Sequence, residues 1–482
     1  MSTSHTQSAN PRRWSALAVI ALAQFMVIMD TSIIGVALPE IRTDLGFSPE
    51  NLSWVFNAYV VALGGLLLLG GRLSDLLGAK RVFGAGWAVL LAGSLGAGLA
   101  GSVGVEIAAR AVQGAGAALI APSALTLLMM LFGANPKELM RAFAIYGAAA
   151  PAGGTAGVFL GGVITEWISW PWVFYVNVPI ALVVLAVTPG LMPAAPARRG
   201  SIDLAGAVTA TAGLALTVFG VVRAPEAGWG SSATLLSIAG GLALLLAFVV
   251  IQARRAEPLM RLSIFRTPNL AAANLAQLLL GAAWIPMWFF LNLYLQQVLG
   301  YGAFEGGAAL LPMTVAIMVG MVVIAPRVIA RVGVKAPIVV GMLLLATGMA
   351  ALSLVRADGS FAVDVLPASL IAAAGMSLAF IPSLGTAIQS ARPEEGGLAS
   401  GIVNTAYQVG SALGLAAMTA LAASRGADRL GDPGALTDGY SAAFLGAAAV
   451  VVLGALLAAG LVRVPTPKAA AVDEDERTPL AA

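Results

Sequence analysis

Two charged side chains stand well inside the apolar stretches of this chain: Asp30 in "VIMDTSIIGVALP" and Arg110 in "AARAVQGAGAA". A carboxyl so placed can take up and release a proton, and a guanidinium can hold or free that carboxyl. A charge at mid-membrane costs about 2.5–3.5 kcal/mol on insertion scales, so such residues are read as functional. The plainer alternative is a structural ion pair between the two. Little other chemistry is on offer. Zero cysteines exclude disulfides, thiolate metal sites and cysteine nucleophiles. His5, the only histidine, lies in a polar N-terminal tail, which excludes histidine zinc sites and Ser-His catalysis. No GxxxxGK[ST] phosphate loop points to ATP. We therefore expect no catalytic residue, no metal site and no cofactor, and a protein that is not an enzyme.

The elements that position these charges are membrane spans. Of 482 residues 59% are hydrophobic and 10% charged, and the mean hydropathy is +0.91. Soluble domains carry about 25% charged residues, so the chain reads as an all-α polytopic membrane protein. Its net charge of +3 is too small to suggest a nucleic-acid partner. No cleavable signal peptide is evident, because the first apolar run is too long. A span needs about 20 mainly apolar residues. Such runs fall at 15–38, 52–71, 82–101, 104–131, 139–162, 171–191, 204–222, 232–251, 269–297, 305–325, 336–355, 365–389, 398–423 and 441–462, about fourteen helices. With the N-terminus inside, twenty of the 26 Lys and Arg residues fall on inner segments and five on outer ones, and Arg110 lies within a span. The positive-inside rule then supports an even number of spans and two cytoplasmic termini.

Depth tests the pairing of the two charges. Asp30 lies about fifteen residues, or roughly 20 Å, up an outward helix. Arg110 lies about six residues, or roughly 10 Å, down an inward one. Across a core of about 30 Å these depths coincide.

A repeat organises the spans. "GRLSDLLGAK" at 71–80 matches "PRVIARVGVK" at 326–335 at an offset of 255, aligning Arg72 with Arg327, Gly78 with Gly333 and Lys80 with Lys335. Gly153 and Gly157 match Gly410 and Gly414 at an offset of 257. Two six-helix halves separated by two extra helices is a transporter architecture. The expected divisions are an N-terminal tail (1–13), a first half (14–192), a linker with two inserted helices (193–268), a second half (269–462) and an acidic tail (463–482) with "DEDE" at Asp473 to Glu476.

The motifs resemble those of the major facilitator superfamily, specifically its fourteen-span drug:proton antiporters. "GRLSDLLGAK" is similar to the family's G-x-L-[AS]-D-R-x-G-R-[KR] loop, with Leu76 and Ala79 in place of basic residues. "MDTSIIGVALP" (Met29 to Pro39) resembles L-D-x-T-x-V-N-V-A-L-P, and "RAVQGAGAA" (Arg110 to Ala118) resembles R-x-x-Q-G-x-G-A-A. "WPWVFYVNVP" (Trp170 to Pro179) resembles W-R-W-x-F-x-I-N-V-P, with Pro171 replacing the arginine. The fifth-helix antiporter motif G-x-x-x-G-P-x-x-G-G is present as Gly153, Gly157, Gly161 and Gly162, with Val158 at the proline position.

This resemblance implies the major facilitator fold and proton-driven export of amphipathic small molecules such as drugs or antibiotics. It implies a bacterial plasma membrane location and a monomer whose partners are substrate, protons and the lipid bilayer. An exporter or permease for one metabolite is the runner-up; a membrane sensor or enzyme is a distant alternative. Asp30 and Arg110 are the expected proton-coupling pair. Gly71, Arg72, Asp75, Gly78, Lys80 and Arg81 form the expected gating loop, in which Asp75 sits near the start of the third helix, where it can favour that helix's N-terminal dipole or pair with basic groups of another helix end as a latch. The bland reading of the basic residues there is topology alone. The glycines of the fifth helix are expected to pack helices. Gln24, Asn57, Gln113, Gln277, Asn292, Asn404 and Gln408 are candidates for lining a substrate cavity; interhelical hydrogen bonding is the alternative for each.

The orientation is open to test by cysteine labelling, since the chain has no cysteine of its own. A reagent confined to the outside should modify Ser231→Cys and spare Ala197→Cys. The reverse pattern would sink the fourteen-span topology.

Overall fold

One residue, Gly78, separates the second long helix from the third. Its φ of +90° and ψ of 131° lie where a side chain is strained, and this permits a one-residue reversal between antiparallel helices. In the computed structural model, which describes residues 12–47, 54–194, 203–255, 258, 262–267, 269–391, 396–427, 429 and 431–463, the chain forms helices throughout and no strand among the described residues. The first half contains α1 (Arg13–Leu45), α2 (Trp54–Leu77), α3 (Ala79–Gly98), α4 (Val103–Phe132), α5 (Pro136–Trp167) and α6 (Asn177–Leu191), the last led in by a turn at Trp172–Tyr175. Next come α7 (Leu204–Ala227) and α8 (Ser232–Arg254). The second half contains α9 (Leu270–Leu293), α10 (Ala303–Val319), α11 (Lys335–Leu352), α12 (Leu366–Ser390), α13 (Gly396–Ala422) and α14 (Pro433–Leu461). Among the described residues, 13 helices are long and apolar enough to cross a membrane, and α7 adds a shorter apolar stretch, Ala205–Val221. The sequence-predicted terminal tails, beyond Pro11 and Arg463, and linker residues 195–202 lie outside the described residues.

Several boundaries differ from the sequence reading. Helix α1 continues past Leu38 to Leu45, where Gly46 closes it in the left-handed region with φ +72°. The stretch 71–81, read as a loop, is mostly helix: α2 runs to Leu77 and α3 starts at Ala79. Asp75 therefore stands in the last turn of α2, at the negative end of that helix's dipole, and not in the first turn of α3. The matching stretch 326–335 is likewise helical to Val332, because a π-turn at Gly320–Ile324 joins α10 to Ala325–Val332. Charged residues near a helix end had masked this continuation. Gly333, with φ +75°, makes the same reversal as Gly78.

Glycine contacts extend the repeat into the packing. Gly153 and Gly157 of α5 lie against the backbone of Phe25 and Met29 in α1; Gly410 and Gly414 of α13 lie against Leu278 and Ala282 in α9. Gly116 of α4 meets Gly86 and Leu90 of α3, as Gly375 of α12 meets Gly341 and Leu345 of α11. The α1 and α9 contacts are related by 253 residues, so the second-half counterpart of Asp30 is Ala283, not the Ile285 that an offset of 255 gives. In lipid, small residues of this kind let helix backbones approach closely and gain packing and hydrogen bonds.

The inserted pair sits to one side. Thr217 and Gly213 of α7 face Gly241 of α8, and α7 also reaches the first half, where Phe219 and Trp54 stack at 4.9 Å. Helix α8 exposes Leu235, Leu236, Leu242 and Leu246, the surface expected to face lipid. At its N-terminus Asp203 caps α7, accepts from Gln252 at 2.7 Å and pairs with Arg255 at 3.0 Å, tying α7 to the end of α8.

The halves meet near both faces of the bundle. At the face carrying Arg13 and Arg463, here the near face, Gly401 of α13 packs on Leu67 and Gly71 of α2. Toward the far face, Phe159 of α5 stacks on Phe304 of α10 at 5.0 Å, and the hydroxyls of Thr155 and Thr314 hydrogen-bond.

A Cβ at Gly116 would lie 2.6 Å from the Leu90 backbone nitrogen, whereas one at Gly84 meets nothing within 4 Å. Gly116→Ala should destabilise the detergent-solubilised protein by about 1–3 kcal/mol through overpacking. Gly84→Ala should be neutral or gain up to about 1 kcal/mol of helix propensity. Thermal unfolding of the two variants reads the difference; equal melting temperatures would refute the close-approach account.

Candidate functional site

Asp30 is fully enclosed by the first half, with 1% of its surface exposed. Its Oδ2 accepts from Arg110 Nη1 at 2.7 Å, and Oδ1 accepts from Asn177 Nδ2 at 2.8 Å and Gln113 Nε2 at 3.2 Å. Arg110 has no exposed surface. Its Nε donates to the Val55 carbonyl at 2.8 Å, and Nη1 also donates to Gln113 Oε1 at 2.8 Å. Gln113 and Asn177 both donate to Ser94 Oγ, at 2.8 and 3.2 Å. The guanidinium lies 4.6 Å from the Tyr59 ring centroid and 5.8 Å from that of Phe174, contacts that favour a desolvated cation. Tyr59 is held in turn by its hydroxyl, which donates to the Val27 carbonyl at 3.2 Å.

Five elements of one half thus converge on one carboxylate: α1, α2, α3, α4 and the start of α6. Glycines make the convergence possible. Gly93 brings α3 onto the Gln113 backbone, and Gly114 seats α4 on the Tyr59 carbonyl of α2. Between this network and the far face lies an apolar cluster that includes Ile33, Ile34, Ala37, Val55, Trp170, Val173 and Phe174. Trp170 is pinned there by its indole, which donates to Asp44 at 2.8 Å. The arrangement presents one carboxyl, screened from water, to one buried cation and two amide donors.

The other sequence-predicted residues are dispersed. Gln113, proposed for a cavity, belongs to the Asp30 network. Gln24 accepts from the Tyr146 hydroxyl at 2.7 Å. Gln277 donates to Ser383 at 2.9 Å and to the Phe380 carbonyl at 3.1 Å. Asn292 accepts at 2.7 Å from Gln296, in the π-helical turn Tyr294–Val298 that continues α9. Asn404 donates to the Ser400 carbonyl at 2.8 Å and Gln408 is half-buried. The side chain of Asn57 lies outside the described residues. Gly153, Gly157 and Gly161 step along α1 at Phe25, Met29 and Ile33, and Gly162 is buried behind them. At the near face Lys80 donates to the Pro189 carbonyl at 2.6 Å, Arg81 is exposed and Arg72 is half-buried beside Gly71.

Sequence reasoning did not single out Ser94, Tyr59, Asn177 or Glu106 for this site. Asn177 lay within a quoted motif without a role. Glu106 lies near the outer end of the 104–131 run, where sequence alone suggests contact with water, yet the structure buries it completely, one turn from Arg110.

The family model described as Major Facilitator Superfamily matches residues 20–415. The chain is 42% identical over 460 residues to the cephamycin export protein CmcT of Amycolatopsis lactamdurans, covering 94% of this chain and 93% of that protein. It is 36% identical over 464 residues to the puromycin resistance protein pur8 of Streptomyces alboniger, covering 94% and 92%. Among solved structures it resembles the proton:xylose symporter XylE with a TM-score of 0.68 at 15% identity, covering 95% of this chain and 97% of that one. A second match is the human organic anion transporter MFSD10, with a TM-score of 0.67 at 16% identity, covering 93% and 100%.

Removing one partner of a buried pair leaves a charge uncompensated, at a cost of about 3–5 kcal/mol. Arg110→Leu should accordingly destabilise the protein by that order, and adding Asp30→Asn should recover a substantial part. Thermal unfolding of the single and double variants measures this. Strict additivity would mean the pair is not coupled.

Proposed function

The chain belongs to the major facilitator superfamily, and on that premise we propose that it is a proton-driven secondary exporter of amphipathic small molecules, antibiotics foremost, working by alternating access. Its class is plain: a multi-pass membrane transporter, not an enzyme. The observation that carries the proposed cargo is similarity along nearly the whole chain to proteins named for cephamycin export and puromycin resistance. Support for the proton comes from the buried Asp30–Arg110 pair, the only ion pair among the described residues with both partners fully enclosed. In this reading the near face is cytoplasmic, both termini are inside a bacterial plasma membrane, and the protein acts as a monomer.

Asp30 is the coupling carboxyl, and its exchange between Arg110 and a proton makes proton affinity depend on conformation. A proton crossing about 100 mV releases about 2.3 kcal/mol, and one pH unit adds about 1.4 kcal/mol. At about 1.4 kcal/mol per tenfold, one proton per neutral cargo supports a gradient of a few hundredfold. Gly71, Arg72, Asp75, Gly78, Lys80 and Arg81 form the near-face gate, because Gly71 lies where α2 meets α13 of the other half. The far-face gate is the Phe159–Phe304 contact. Opening one gate while the other holds is what alternating access requires.

Inverted vesicles loaded by an imposed proton gradient test this reading, with puromycin as the first probe and a panel of antibiotics behind it. Asp30→Asn should abolish uphill accumulation while sparing downhill exchange. Asp75→Asn should slow turnover with equilibrium binding of the same probe nearly unchanged. Wild-type accumulation by the Asp30 variant would remove Asp30 from coupling; binding lost in proportion to turnover would remove Asp75 from the gate.

A further inference from the structure

Glu106 sits in the first turn of α4, four residues before Arg110, with no exposed surface. Neither carboxyl oxygen has a hydrogen-bond partner among the described residues, and neither does Arg110 Nη2, which is equally buried. Two enclosed groups that could pair, on one helix, are thus both left open while Arg110 is committed to Asp30. Residues four apart on a helix have Cβ atoms about 5–6 Å apart, and Glu before Arg is the favourable order for pairing. The unpartnered Nη2 is the donor that a rotamer change of Arg110 would offer to Glu106.

A carboxylate buried without donors carries a large desolvation penalty, and a neutral carboxylic acid a much smaller one. The α4 N-terminal dipole offers only partial charge to Glu106. The charged groups that act on Glu106 are Arg110 on α4 and Asp30 on α1, and Tyr59 of α2 lies against Arg110. Glu40, Arg42 and Asp44, farther along α1, are exposed. Helix α3 brings Ser94 and glycines to the site, its Lys80 and Arg81 being at the opposite end, and Tyr175 ahead of α6 rests on Gly98. Arg110 is the one buried cation among these groups.

We propose that Glu106 is a second proton-binding carboxyl, sharing one proton with Asp30 through exchange of Arg110 between them. This rests on the reading of Asp30 as the coupling site and adds its partner. When Arg110 holds Asp30, the proton is on Glu106; when Arg110 holds Glu106, the proton is on Asp30. The O–H bond broken at Glu106 is balanced by the one formed at Asp30, and the guanidinium keeps its own protons. The three side chains have zero net charge in both states, so the buried site is never left with an unpaired ion. Glu106 lies one turn closer to the far face than Arg110, on the side from which a proton enters in an exporter.

Infrared spectroscopy of the purified full-length protein in detergent tests this without any cargo. At neutral pH the wild type should show a protonated-carboxyl band that Glu106→Gln removes. Asp30→Asn should lose that same band, because Arg110 then pairs with Glu106 and ionises it. A wild type lacking the band, or an Asp30→Asn protein retaining it at full intensity, would overturn the proposal. Should Asp30→Asn not fold, Arg110→Gln decides. Without the cation both carboxyls should be neutral, and the integrated carboxyl band should be about twice that of the wild type; a band no larger than the wild type's overturns the sharing. Failure of the transport reading appears in vesicles instead and leaves the spectra interpretable.

Discussion

A charge cannot be left alone in a low-dielectric interior, and the first half of this protein is arranged around satisfying that demand at Asp30. The carboxylate receives a guanidinium and an amide donor from α4 and a second amide donor from the start of α6. Arg110 is in turn anchored by a backbone carbonyl of α2 and by aromatic rings on α2 and ahead of α6. Breaking such a pair costs several kcal/mol, while forming it gains little over an apolar pair of similar shape. The pair therefore constrains the packing more than it stabilises it.

Glycine supplies the means. Five elements can reach one carboxylate only if their backbones come close, and Gly93 and Gly114 place α3 and α4 where a Cβ would collide with backbone atoms. The same device recurs in the second half, where Gly348 brings α11 onto the Ala372 backbone as Gly93 brings α3 onto Gln113. Yet the positions corresponding to Asp30 and Gln113 there are Ala283 and Ala372. Duplication preserved the scaffold and only one half carries the charges. A conformational change that moves one half against the other can then alter the surroundings of a single site.

Much of this was legible in the sequence. Apolar length and basic asymmetry gave the spans, and coincident depths of Asp30 and Arg110 pointed to their pairing because helical rise is a fixed distance. The loop was misjudged: Asp75 and Lys80 looked like solvated connection, whereas Gly78 alone makes the turn and helix runs to either side. Hydropathy cannot separate a polar helix end from a loop. Glu106 was missed for a related reason. Its place near a span end suggested water, but the apolar cluster around Trp170 and Phe174 covers that end, and such coverage arises from tertiary packing alone. Gln113 had the right polarity for a cavity and the wrong face. Only the rotation of α4 about its axis, fixed by Gly114 and Gly116 on their neighbours, turns it toward Asp30.

The position of the ion pair relative to the two gates bears on coupling. Asp30 lies one residue from Met29, whose backbone supports Gly153 and Gly157 of α5. Helix α5 is also the element that touches α10 through Thr155–Thr314 and Phe159–Phe304. The glycine face of α5 rests on α1 while the opposite side meets the other half. In the proposed reading, loosening Asp30 from Arg110 would free the middle of α1 from α4 and leave α5 without rigid support for the far-face contact. Helix α2 carries the Gly71 contact to α13 near its near-face end and, near its other end, the Val55 carbonyl that anchors Arg110. One buried pair is thus tied by packed helices to both contacts between the halves, and in the proposed reading a proton that breaks the pair would act on both contacts through α5 and α2 without touching either.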